Sequence, residues 1–138
     1  MVTGFPSFHD EAGGSKRGPN IIFLIEAEGL RVCHLGDLGH TLEPWQAKKI
    51  GPPDVLLVPV GGFYTIGPDG AAQVVDLLKP RYVVPMHYKT SYIDFPIETP
   101  EPFLKNYPGY KKRAGLVVTG DSLPEKTGAV LLELKKAQ

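Results

Sequence analysis

Three short runs of nearly unbroken apolar side chains, Ile21–Ile25, Val55–Val60 and Arg81–Met86, constrain this chain more than anything else in it. A run of that length without polar alternation reads as a strand covered on both faces. Two stretches between the runs carry helical spacing. Thr41 can cap a short helix with Leu42, Trp45 and Ile50 on its apolar face and Gly51 as its stop, which makes Trp45 a core residue. A second helix is expected from about Pro68 to Leu78, burying Ala72, Val75 and Leu78 and ending at Lys79-Pro80. Strands alternating with helices predict an α/β layered fold.

The remaining elements follow from local signals. Glu28-Gly29 suits a hairpin turn into a return strand, Leu30–Leu35, with Leu30, Val32 and His34 on one face and Arg31, Cys33 and Leu35 on the other. The first dozen residues are rich in Gly, Pro and aromatics and are assigned no element, and residues 11–19 read as a loop. Residues 91–110 are mostly loop, with a helical turn near Phe103. Strands at Leu116–Thr119 and Ala129–Leu134 complete the chain. Without repeat or linker, residues 1–138 are expected to form a single domain.

The apolar runs create an imbalance. Two amphipathic helices can cover one face of a sheet, and the other face must meet a second layer. Either the C-terminal strands fold beneath it or a partner chain covers it, and the partner is the favoured expectation.

Composition removes several function classes. Fifteen basic residues balance fifteen acidic ones, so the net basic footprint of a nucleic-acid binder is missing. No stretch approaches the roughly 18 to 20 apolar residues of a membrane span. The N-terminal Met1-Val2-Thr3-Gly4 lacks signal-peptide regions, and the lone Cys33 cannot form an internal disulfide. A soluble cytoplasmic protein acting on a small molecule is expected.

Chemistry concentrates where strands end. His34-Leu35-Gly36-Asp37-Leu38-Gly39-His40 closes the return strand with an acid and two imidazoles among flexible positions. Pro6-Ser7-Phe8-His9-Asp10 precedes a Gly-rich turn, and Val83-Val84-Pro85-Met86-His87 sets a histidine straight after an apolar run. Acid and imidazole at three strand ends is how a metal site is assembled from distant parts of a chain. His40 is a candidate to orient the carboxylate of Asp37, and Asp10 to hydrogen-bond a ligating imidazole, although a neighbour of a helix cap and a turn residue describe them as well. Tyr88 and Lys89 follow His87 and can meet an anionic substrate. His34 is expected on the face opposite Cys33, and Cys33 in the core.

Taken in order, Phe-His-Asp at 8–10, Arg17-Gly18, Gly-Asp-Leu-Gly-His at 36–40, Pro-Val-Gly-Gly-Phe-Tyr-Thr at 59–65 and Pro-Met-His-Tyr-Lys at 85–89 resemble late motifs of the metallo-β-lactamase superfamily. The nearest branch is that of metal-dependent hydrolases similar to ascorbate-6-phosphate lactonase. The resemblance runs from about Pro6 to Thr90. It implies a four-layer αβ/βα sandwich with a two-metal site at one sheet edge. His9 resembles the histidine completing the first metal's ligands, Asp37 the bridging carboxylate and His87 the histidine of the second metal. The implied cofactor is a divalent metal, zinc first, with manganese or iron as alternatives. The implied reaction is metal-hydroxide attack on an ester, lactone or phosphoester.

The chain departs from that pattern in one place: it contains no His-x-His-x-Asp-His. The expectation is therefore half of the sandwich, a mixed sheet with helices on one face, completed by a second copy in a homodimer or by a partner chain. A two-histidine, one-carboxylate set can still hold one ion with open positions. The competing expectation is a catalytically inert half-domain serving as a self-associating or partner-binding scaffold.

Overall fold

The computed structural model describes residues 1–135. Seven strands form one mixed sheet: β1 (Val2–Phe8), β2 (Pro19–Ala27), β3 (Leu30–His34), β4 (Val55–Pro59), β5 (Tyr82–Met86), β6 (Lys111–Arg113) and β7 (Gly128–Leu132). Their order across the sheet is β1-β2-β3-β4-β5-β7-β6. β2 runs antiparallel to both β1 and β3, and every other pairing is parallel. β1, β3, β4 and β5 therefore point the same way and end at one edge.

Three helices, α1 (Pro44–Ile50), α2 (Pro68–Leu78) and α3 (Glu101–Leu104), pack side by side on one face. The register explains the core. Leu24, Cys33, Leu56, Val83 and Ala129 are paired in turn across five strands, so their side chains form one row on the helical side. That row meets Ala47, Ile50, Ala71, Val74, Leu78 and Phe103 from the helices. A fully buried leucine such as Leu56 contributes about 1.5–3 kcal/mol by leaving water. Cys33 lies in this row, and burial pushes its thiol up to about 12.

The opposite face is covered only in part. Tyr82 lies there and donates its hydroxyl to the Ser122 carbonyl at 3.0 Å, which draws the segment before β7 under β5. Beneath β1 and β2 no described segment does the same. Ile21, Phe23 and Ile25 stay 49%, 42% and 40% exposed, and Val2 beside them is exposed too. The arrangement is the expected half-sandwich, a mixed sheet with helices on one face.

Several elements differ from their sequence signals. β1 occupies a stretch assigned no element. Pro6 is tolerated because β1 is an edge strand, where one missing donor breaks no interior ladder. α1 starts at Pro44, with Glu43 rather than Thr41 at its cap; the Glu43 backbone N–H donates to Gln46 Oε1 at 2.9 Å. Beginning there turns Trp45 outward, 64% exposed, while Leu42 and Ile50 are buried. α2 buries Ala71 and Val74 with Val75 and Leu78, leaving Ala72 half-buried. No strand forms at Leu116–Thr119, and the short edge strand is Lys111–Arg113. No helix among the described residues is long and apolar enough to cross a membrane.

Candidate metal centre

Because β1, β3, β4 and β5 end together, the residues just beyond them meet. His9 follows β1, and its backbone N–H donates to the Gly18 carbonyl at 3.0 Å. Asp37 sits on the loop after β3, its N–H donating to Asn20 Oδ1 at 3.0 Å. His87 follows β5 with φ +51°, a left-handed conformation that costs a non-glycine residue on the order of 1–2 kcal/mol. Strain of that kind persists where the surroundings demand one side-chain direction.

The three side chains face one another. His9 Nε2 lies 3.9 Å from Asp37 Oδ2, and His87 Nε2 lies 3.9 Å from Asp37 Oδ1. These separations are too long for hydrogen bonds. Among the described residues His9 Nε2, which faces Asp37, is buried without a hydrogen-bond partner, as is His87 Nδ1, the ring nitrogen not turned to Asp37, and such burial is costly for a ring nitrogen. Two donors on one tetrahedral zinc, with bonds of about 2.0–2.1 Å, stand roughly 3.4 Å apart, so each 3.9 Å imidazole–carboxylate gap is within about half an ångström of a chelating separation. The donors therefore fit a divalent metal, with each oxygen of Asp37 turned to a different imidazole. They do not close around a common point: among the described residues no three His, Cys, Asp or Glu side chains form a single chelating cluster. A single ion held by two histidines and one carboxylate is thus not the geometry found. The arrangement is two half-sites sharing one carboxylate, each with room for further ligands.

Two close approaches make the edge this compact. A Cβ on Gly39 would lie 2.2 Å from the His9 carbonyl carbon and 2.3 Å from the Asp10 nitrogen. A Cβ on Gly61 would lie 2.3 Å from the His87 carbonyl oxygen. Only glycine lets these loops touch the ligand-bearing backbone.

The other candidates have different surroundings. Asp10 does not reach an imidazole. Its buried carboxylate accepts four backbone N–H groups, from Ala12, Gly14, Lys16 and Arg17, at 2.7–3.0 Å, and so winds the 10–18 loop around itself. Burial alone would raise its pKa, but the four donors outweigh burial and bring it from 3.8 to about 2. A depressed folded value stabilises the loop above the unfolded pKa and is lost as pH falls through the folded one. The loop's amide protection should hold at pH 5 and disappear between about pH 4 and pH 2, as hydrogen exchange can read.

His40 does not orient Asp37. Its Nε2 accepts the Phe8 N–H at 3.1 Å, so Nδ1 carries the proton and donates to the Thr41 carbonyl at 2.8 Å. Tyr88 packs against the core and donates its hydroxyl to the Leu132 carbonyl at 3.4 Å, burial raising its pKa. Lys89 is exposed, its N–H bonded to the Glu98 carbonyl. His34 accepts the Gly36 N–H on Nδ1.

Asn20 went unread in the sequence. Its Nδ2 donates to Ser7 Oγ and to the Leu35 carbonyl, each at 2.9 Å, while its Oδ1 holds the Asp37 backbone. A polar residue opening an otherwise apolar strand was the available signal. Asn20→Ala should cost about 1–3 kcal/mol of stability by orphaning buried groups. It should also weaken metal binding by about 10–100-fold, measured by calorimetric titration.

Comparison with known proteins gives the same direction. A family model described as beta-lactamase superfamily domain matches residues 1–87. A UPF0173 metal-dependent hydrolase of Archaeoglobus fulgidus is 36% identical over 113 residues, which are 75% of this chain and 47% of that protein. Its counterpart in Pyrococcus furiosus is 34% identical over 125 residues, 88% of this chain and 54% of that protein. The chain thus spans about half the length of these curated relatives. A crystal structure from Thermotoga maritima, assigned to the Zn-dependent hydrolases of the metallo-β-lactamase superfamily, aligns with TM-score 0.83 and 44% identity over 97% of this chain and 65% of that one.

Proposed function

Because the chain belongs to the metallo-β-lactamase superfamily, we propose that it works as a metal-dependent hydrolase cleaving an ester, lactone or phosphoester of a small molecule. The observation that carries this reading is the pair of imidazoles facing opposite oxygens of Asp37, with His9 Nε2, the atom turned to the carboxylate, buried and unpartnered among the described residues. His9, Asp37 and His87 would hold divalent metal, zinc first, with manganese or iron as alternatives, all of which neutral imidazole suits. When bound, such metal lowers the pKa of water and polarises the oxygen of the scissile group. The chain's own contribution is placement. Asn20 fixes the backbone of Asp37, and the left-handed turn at His87 fixes the second imidazole. Asp37 has a half-exposed side chain, so a substrate can reach the centre from solvent.

Support for a covering layer comes from the bare sheet face. An open groove of about 680 Å³, lined by Val2, Ile21, Phe23, Ile25 and His34, runs up to Asp37. We propose that a second copy or a companion chain covers it, because contiguous exposed apolar surface of this kind marks an interaction site. The layer that covers it would meet the centre and can complete each half-site. Light scattering behind size exclusion should give a dimer or larger. Phe23→Glu should shift the mass toward monomer, whereas a wild-type monomer contradicts self-association. We place the protein in the cytoplasm, on the strength of its lone, buried Cys33.

The test of the hydrolase reading is equilibrium dialysis against zinc, manganese and iron(II), followed by metal analysis and hydrolysis of chromogenic acetate and phosphate esters. Stoichiometric metal with hydrolysis is expected. Absence of bound metal under excess ion overturns the reading and favours the second one, an inert self-associating scaffold built on the same bare face.

A further inference from the structure

Arg17 is the cation whose surroundings the centre leaves unexplained. Its backbone N–H is tied to Asp10 Oδ2 at 2.7 Å, and its neighbour Gly18 is bonded to His9, so its position beside the centre is fixed. Its guanidinium carbon lies 5.5 Å from the Tyr64 ring centroid and 5.9 Å from that of Phe63. Those rings meet edge to face at 4.7 Å on the loop that begins at Gly61, against the His87 carbonyl, and ends at Ile66, bonded to Leu38. Arg17 thus bridges the loop carrying His9 and the loop wedged between Asp37 and His87.

Among the described residues the Arg17 side chain makes no ion pair and no hydrogen bond, whereas Lys16 is paired with Glu11 and Arg31 with Glu26. The nearby carboxylate of Asp10 is filled by backbone donors. A guanidinium resting on aromatic rings keeps its N–H fork free for a carboxylate or phosphate. Phe63 is 62% exposed and left-handed at φ +62°, so it serves no core. It is exposed on the 61–66 loop, whose Gly61 lies against the His87 carbonyl.

We propose that Arg17, steadied by Phe63 and Tyr64, is a substrate-binding residue that receives an oxyanion group of the substrate, carboxylate or phosphate, beside the scissile bond. The inference rests on the hydrolase reading for its substrate. Its test uses the metal-free full chain, so a failure to bind metal leaves it standing or falling separately.

Inorganic phosphate and, in parallel, acetate are titrated into the protein while NMR follows the Arg17 Nε–H signal and the amides of residues 12–17. A saturable shift of Arg17 is expected with at least one anion. A response to phosphate alone indicates a phosphoester substrate, and an equal response to acetate indicates a carboxylate-bearing ester or lactone. Arg17→Met should weaken binding at least about tenfold, the loss expected for charge-assisted hydrogen bonds. Arg17→Lys, which keeps the charge and the ring contact but not the fork, should fall between. Unchanged affinity in Arg17→Met, or a shift spread equally over the surface lysines, overturns the proposal.

Discussion

Replacing Asp37 with alanine is expected to empty both half-sites at once. Each imidazole of the centre faces its own oxygen of this one carboxylate, at 3.9 Å in both cases. Removing it leaves two single histidines that nothing links. Loss of a residue that merely orients a ligand costs about 10–100-fold in affinity or activity, so loss of the shared ligand should exceed that range. Metal content should drop to background, and hydrolysis with it. The fold should survive, because the Asp37 side chain is half-exposed and makes no hydrogen bond among the described residues. Circular dichroism and a melting curve check that point. His9→Ala and His87→Ala should each spare part of the metal bound. Equal, complete loss in all three variants would show a single shared ion instead.

The second large effect is structural. Gly39→Ala places a methyl group 2.2–2.4 Å from backbone atoms of His9 and Asp10. No side-chain rotation relieves contacts with main chain, so the 36–40 loop must move away from β1. That breaks the bond from the Gly39 N–H to the Phe8 carbonyl, 2.9 Å long, and separates Asp37 from His9. Overpacking typically costs about 1–3 kcal/mol and more when backbone must shift. A loss of about 3 kcal/mol corresponds to roughly 10 °C in melting temperature for a chain of this size. Metal affinity should fall with it. A variant that melts like wild type and binds metal normally would mean that the loop yields freely.

The parts of this molecule that could be read in the sequence are those whose chemistry is local. Apolar runs longer than an alternating strand allows marked β2, β4 and β5, and an acid or imidazole within three residues of a strand end marked Asp37 and His87 as candidates. What stayed hidden depends on neighbours. Gly4 and Pro6 disguise β1, which forms because β2 offers it an edge. Leu116–Thr119 has the composition of a strand but no partner, while Lys111–Arg113 becomes one simply by lying along β7. Trp45 shows the limit of periodicity, since moving the helix start from Thr41 to Pro44 changed which residues face inward. Asn20 and the four-fold grip on Asp10 are contacts across space, and no spacing in the chain announces them.

The common direction of β1, β3, β4 and β5 reaches beyond placement. Since His9, Asp37 and His87 are delivered by separate strands, no single hairpin or βαβ fragment contains even a partial centre. The His9–Asp37 pair needs the three-strand meander β1–β2–β3, and His87 must await the longer-range parallel pairing of β3, β4 and β5, the slower part of building such a sheet. Until β3, β4 and β5 have paired, Asp37 and His87 stand on unconnected segments, so the second half-site is the last part of the centre to form.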